Sequence, residues 1–196
     1  MVNVAVLVSG GGTNLQALID AKAAGSLPNA KLALVIASKP GVYALERAKA
    51  ANIPSEVVCR KDFDSQEAFD SAMLETLRRY DIGAVVLAGY LSIVGALVVA
   101  AYPDKIINIH PSLIPSFCGA GYYGLRVHEA ALKKGVKVTG ATVHLVNEQY
   151  DDGRILLQKA VSVEEGDTPE TLQKRVMKEA EWVILPKALD MITRGE

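Results

Sequence analysis

Residues 2–8 form a valine-rich apolar run that stops abruptly at Ser9-Gly10-Gly11-Gly12. Such a run fits a strand buried on both faces that hands over to a turn. From Asn14 to Ala24 the apolar positions Leu15, Leu18 and Ile19 recur at helical spacing. Strand, glycine turn and helix open a βαβ unit. The alternation then continues, with strands predicted at 31–38, 54–58, 84–87 and 106–109 and helices at 43–51 and 65–79. This order predicts an α/β fold, a Rossmann-like, mainly parallel sheet with helices on both faces. Its functional residues are expected beyond the carboxyl ends of the strands.

The texture changes after residue 110. Residues 111–123 are irregular, and a short helix follows at 125–133. Two β-rich runs, 137–146 and 155–163, flank a turn at Asp151-Asp152-Gly153 and predict an antiparallel addition near the C-terminus. A last helix is expected from Thr168-Pro169, where a capping residue precedes proline at the first helical position. Pro186 is expected to kink or end it. No internal repeat, low-complexity tract or linker divides the chain, so one domain over 1–196 is expected.

Composition narrows the classes. Half of the 196 residues are hydrophobic, enough for one sizeable core. A balance of 21 basic to 22 acidic residues speaks against a non-specific nucleic-acid binder and favours a small-molecule acceptor. Cys59 and Cys118 form no CxxC, and with 3 histidines a zinc site would be hard to assemble, so no metal is expected. No signal-peptide pattern and no apolar stretch of ~18 residues is present, which predicts a cytoplasmic chain with no membrane partner.

Two segments carry candidate chemistry. Glycines where a strand enters a helix let a ligand approach the backbone, and free N–H groups there favour an anion. The dinucleotide fingerprint is not met, because Leu15 stands where a third glycine is needed and Ser38-Lys39 where an acid is needed. A mononucleotide or sugar phosphate fits better; a tight turn capped by Thr13 or Asn14 explains the same residues. The second segment is Asn108-Ile109-His110-Pro111. Residues 108 and 110 share one side of an extended strand. An amide and an imidazolium there could both donate to a forming oxyanion, with Asp151 holding His110 charged. A hydrogen-bonded structural histidine and a turn-forming aspartate remain the other reading. His128 is expected at the surface of its helix, and His144 as a partner of the site or a core histidine.

Several segments together resemble the glycinamide ribonucleotide (phosphoribosylglycinamide) formyltransferase family: VLVSGGGTNLQALID (6–20), LAGYLSIV (87–94), NIHPSLIPSF (108–117), VTGATVHLVNEQYDDG (138–153) and the stretch from ILLQ to GDTP (155–169). The resemblance implies formyl transfer from 10-formyltetrahydrofolate to the amine of glycinamide ribonucleotide, without a metal, by a monomer or homodimer. It assigns catalysis to Asn108, His110 and Asp151, and the ribonucleotide to Gly11, Gly12, Thr13, Asn14 and Glu181. It assigns the folate to Leu87, Ala88, Gly89, Tyr90, Leu91, Ser92, Ile93, Val94 and Val146, together with Asn108 and Asp151. His144 and Ser112 are expected to support the trio. This chain departs from many members in GAGYYGLRVHE (119–129), in Asp152-Gly153-Arg154, in Ser92, and in Gln66, expected near the phosphate in place of an arginine. Formyltetrahydrofolate hydrolase and methionyl-tRNA formyltransferase are the rival enzymes; a non-catalytic nucleotide sensor is the rival of another class.

Overall fold

The computed structural model describes residues 1–195. β1 (Val2–Val8) is an interior strand, next to the central β4, of a seven-stranded sheet with strand order β3-β2-β1-β4-β5-β6-β7. The other strands are β2 (Ala30–Ala37), β3 (Ser55–Val57), β4 (Ala84–Leu87), β5 (Ile106–His110), β6 (Val138–Leu145) and β7 (Ile155–Ser162). β1 to β5 pair in parallel, whereas β6 runs antiparallel to both β5 and β7. The expected mainly parallel sheet with an antiparallel addition is therefore present.

The helices explain why β1 is apolar on both sides. Val4, Val6 and Val8 face a core built with Leu15 and Leu18 of α1 (Thr13–Ala23) and Leu185 and Leu189 of α7 (Trp182–Arg194). Ala5 and Leu7 face the opposite core, with Phe69, Met73 and Leu77 of α3 (Gln66–Arg79). Each buried valine, leucine, phenylalanine or methionine among them contributes about 1.5–3 kcal/mol. α2 (Tyr43–Ala50) packs Ala44 and Ala48 into the first core. Ser65 starts α3 by accepting from Ala68 N at 3.0 Å.

Three features differ from the sequence expectation. A short helix α4 (Ala96–Ala101) stands in a stretch for which the sequence pattern predicts no element. Its residues are all apolar and show no helical period; Val98 packing into the core beside α3 decides the matter. α5 (Leu125–Lys134) buries His128 completely instead of presenting it to solvent. Pro186 does not end the last helix, since α7 continues to Arg194. A π-helical turn (Met177–Glu181) also stands earlier, between α6 (Pro169–Val176) and α7. The Thr168 cap with Pro169 behind it is as expected, and Thr171 reciprocates the bond in a capping box.

Candidate active site

β1 pairs with β2 on one side and β4 on the other, so the chain changes direction across the sheet between β1 and β4. A crevice opens at such a point, beyond the carboxyl ends of the strands. Here a cleft of about 430 Å³ runs from the glycine turn after β1, past Ala88 and Gly89 after β4, to Asn108 and His110 on β5. A smaller cleft of about 140 Å³ adjoins it, lined by Leu87, Ser92, Ile93, Val94 and Val146. Tyr90, Leu91, Asn108, Tyr150 and Asp151 line both. The residues expected for the phosphate thus fall on the larger cleft and most of those expected for the folate on the smaller. Ala88 and Gly89 belong to the larger.

The glycine turn is held open by its neighbours. Gly12 is the N-cap of α1 at φ 72, and no side chain caps the helix, so neither Thr13 nor Asn14 plays the expected capping role. Gly10 to Asn14 line the cleft, and free N–H groups at a helix start favour an anion. Arg47 of α2 donates to Gly11 O at 2.8 Å, which ties the turn down. Asn14 instead donates its amide to Glu181 Oε2 at 2.6 Å. Glu181 is 6% exposed, and burial pushes its carboxyl up to about 7 despite that bond. The π turn therefore brings a carboxyl from the far end of the sequence to the mouth of α1. Gln173 and Met177 reach the same cleft. Nothing in their local sequence signals this, because only the packing of α6 and the π turn places them there.

Asn108 and His110 point to one side of β5, and the antiparallel register sets His144 opposite Asn108 and Thr142 opposite His110. The His144 ring donates from Nδ1 to Leu145 O at 2.8 Å, leaving Nε2 to accept from the Asn108 amide at 3.1 Å. The other amide hydrogen leans on Asp151 Oδ1 at 3.4 Å, a contact long enough for a better acceptor to displace. Asp151 sits at φ 52, an uncommon left-handed conformation for a residue other than glycine. Its Oδ2 accepts from Gly119 N at 2.8 Å and lies 3.5 Å from His110 Nδ1. Burial raises the Asp151 carboxyl, but the contacts with His144, His110 and Gly119 outweigh it and hold the group below its usual range. Asp151 is therefore an ionised carboxylate and a weak base.

His110 differs from expectation in its charge. The ring donates from Nε2 to Phe117 O at 2.8 Å. Burial lowers its pKa and outweighs the raising effects of Asp151 and Phe117, which favours the neutral ring over the protonated one. Its Nδ1 then carries a lone pair facing Asp151. The Ser112 hydroxyl is directed away from hydrogen bonding with the trio; the residue is fully buried and donates to Ser116 O at 2.6 Å, in the loop after β5. Gln66 lies away from the glycine turn, bonded to Asp70 and Ile93 O beneath the segment that lines the smaller cleft. Tyr122 and Tyr123 line the larger cleft and stay partly exposed, Tyr122 edge-on to Phe117 and Tyr123 beneath Arg126.

Known proteins share this framework. The sequence profile of the formyl transferase family matches residues 2–189. Phosphoribosylglycinamide formyltransferase of Bacillus subtilis is 39% identical over 195 residues, covering 98% of this chain and 97% of that protein. The trifunctional purine biosynthetic protein adenosine-3 of Gallus gallus is 45% identical over 99% of this chain, which spans only 19% of that much longer protein. The crystal structure of glycinamide ribonucleotide transformylase 1 from Symbiobacterium toebii superposes with a TM-score of 0.92 at 42% identity, covering 100% of this chain and 89% of that one. With the profile matching nearly end to end and relatives of its own length close to two-fifths identical, this chain belongs to the formyl transferase family.

Proposed function

We propose that this chain transfers the formyl group of 10-formyltetrahydrofolate to the amine of 5'-phosphoribosylglycinamide, giving formylglycinamide ribonucleotide and tetrahydrofolate, as a step of purine biosynthesis. The observation that carries this reading is the meeting of two clefts at Asn108 and Asp151, one opening on an uncapped helix start and the other with an apolar wall of Leu87, Leu91, Ile93, Val94 and Val146. A phosphorylated amine and a reduced folate need two such sites that share one reacting point. The names of the relatives support the ribonucleotide as acceptor and a formyl group as the cargo. The chain works as one domain, with the ribonucleotide phosphate held by the N-terminal half and folate and catalytic loops within 87–153. It acts in the cytoplasm, as a monomer or homodimer, on small molecules alone, and all catalytic roles fall to side chains without a metal.

The chemistry follows from the protonation states. The substrate amine attacks the formyl carbon, a C–N bond forms and the carbonyl pair moves onto oxygen. Asn108 Nδ2 turns from Asp151 to that oxygen and stabilises its charge. The proton leaving the amine passes to the neutral Nδ1 of His110, which is the better base because the Asp151 carboxyl is held below its usual range and so has little affinity for a proton. The imidazolium so formed lies against the Asp151 carboxylate and beside the oxyanion. Collapse breaks the bond to N10 of the folate, and the same proton goes to that nitrogen, so no net proton is lost. Holding two substrates side by side supplies a large further share of the rate.

The test is formyl release from 10-formyltetrahydrofolate with and without the ribonucleotide. Release that depends on the ribonucleotide is the expected result; equal release in its absence would make the chain a hydrolase and overturn the proposal. Asn108→Ala and Asp151→Asn should each lower kcat by about a hundredfold or more, with the fold intact by circular dichroism.

A further inference from the structure

Asp70 of α3 lies outside both clefts and is 2% exposed. Among the described residues no lysine, arginine or histidine forms an ion pair with it. A buried carboxylate held only by neutral donors is costly, and apolar side chains would fill the same space at less cost. Its bonds show what the carboxylate holds. Oδ1 accepts from Gln66 Nε2 at 2.7 Å and from Gly95 N at 3.1 Å. The same Gln66 nitrogen donates to Ile93 O at 3.3 Å. Gln66 is itself steadied by Arg60, whose Nε donates to Gln66 Oε1 at 3.1 Å while its Nη1 donates to Phe63 O at 2.8 Å.

The carboxylate also lies directly against the backbone it binds. A Cβ built on Gly95 would stand 2.1 Å from Asp70 Oδ2, so only glycine allows this approach. The backbone from Ile93 to Gly95 is thus clamped at both ends, at Gly95 by Asp70 directly and at Ile93 through Gln66. Ser92, Ile93 and Val94 form one wall of the smaller cleft, and Ile93 itself is largely exposed there. A wall without its own strand or helix needs such a clamp to keep one shape.

We propose that Asp70 is a positioning residue for the folate-side cleft, acting through Gly95 and, by way of Gln66, through Ile93 to set the wall against which the reduced folate seats. The proposal rests on the folate reading of that cleft and adds a determinant of folate affinity that never touches the ligand. It separates the two substrates, because none of these bonds reaches the glycine turn.

Steady-state kinetics of Asp70→Ala, Asp70→Asn and Gln66→Ala test it, with tetrahydrofolate binding measured by calorimetry. Asp70→Ala should raise KM for 10-formyltetrahydrofolate about tenfold, with kcat and KM for the ribonucleotide within twofold of the parent. Asp70→Asn, which keeps one acceptor oxygen, should show a smaller rise, and tetrahydrofolate affinity should fall in the same order. Gln66→Ala carries the test should Asp70→Ala not fold, because Gln66 is only half-buried and its removal spares the Asp70 bond to Gly95; a severalfold rise in folate KM is expected. An unchanged folate KM in Gln66→Ala and Asp70→Asn overturns the proposal, as does an equal loss for both substrates accompanied by a lower melting temperature. A parent enzyme that neither binds tetrahydrofolate nor releases formate or transfers formyl would overturn the folate reading itself, an outcome distinct from variants that match an active parent.

Discussion

His128 and Glu181 are buried titratable groups whose effects on stability run in opposite directions. Burial lowers the His128 ring from 6.5 to about 4, helped by His110, and neither ring nitrogen has a hydrogen-bond partner among the described residues. The unfolded chain takes up this proton first as pH falls, so the stability that His128 contributes is present above pH 6.5 and is lost on the way down to about 4. Burial raises Glu181 from 4.5 to about 7, so its contribution is present below pH 4.5 and is lost as pH rises through about 7. Each amounts to at most about 3 kcal/mol. Between these limits the two largely offset each other, and removing one should expose the other. Relative to the parent, Glu181→Gln should gain melting temperature towards pH 7, while His128→Leu should gain it towards pH 4. Melting curves from pH 4 to 7 check this; variants that parallel the parent across the range would refute the opposition.

At the scale of the element, the glycine turn separates a packing role from a ligand role. A Cβ on Gly12 would stand 2.7 Å from Ala44 Cβ and 2.9 Å from Ala44 Cα, in a left-handed backbone besides. Gly12→Val should therefore push α1 off α2 and cost about 1–3 kcal/mol of stability before any ligand is considered. A Cβ on Gly11 meets nothing within 4 Å. Gly11→Ala should leave the melting temperature within a degree or two of the parent, as surface changes do. It should raise KM for the ribonucleotide about tenfold and leave folate KM unchanged. Equal KM changes for both substrates would place the phosphate elsewhere. The loop after β5 is positioned in a related way, since Gly119 N–H bonds the Asp151 carboxylate and so couples the tyrosine-bearing segment to the site.

Across the whole molecule, the site depends on the antiparallel strands that complete the sheet. β6 carries His144 and Thr142 to the two residues of β5 on which the proposed chemistry rests. That register needs Gly140, where a Cβ would stand 2.1 Å from Lys159 O of β7 and 2.9 Å from Leu113 of the loop after β5. Gly140→Ala should thus lower the melting temperature and also reduce kcat per folded molecule, because β6 cannot shift without moving His144 from Asn108. Active-site titration alongside calorimetry would show it. A variant with lowered stability and full kcat would mean that the register tolerates the change.

The alternation of apolar runs and helical spacings sufficed to determine the sheet class, the glycine turn before α1 and the placing of Asn108 and His110 on one side of a strand. These follow from local periodicity and backbone geometry, which a sequence displays directly. Reading the turn between the two late β-runs supplied Asp151, and the resemblance of whole segments added Glu181. Tertiary structure alone decided the rest. α4 forms because Val98 finds a core to enter, and His128 is buried because α5 packs against α6. Glu181 meets Asn14 across 167 positions of sequence, where burial changes its acidity. The charge of His110 also belongs to the fold, since desolvation by residues distant in sequence outweighs the one carboxylate that sequence reasoning paired with it. Pattern along a chain reports which face of an element is apolar. Protonation depends on the dielectric and the partners that only the assembled molecule supplies.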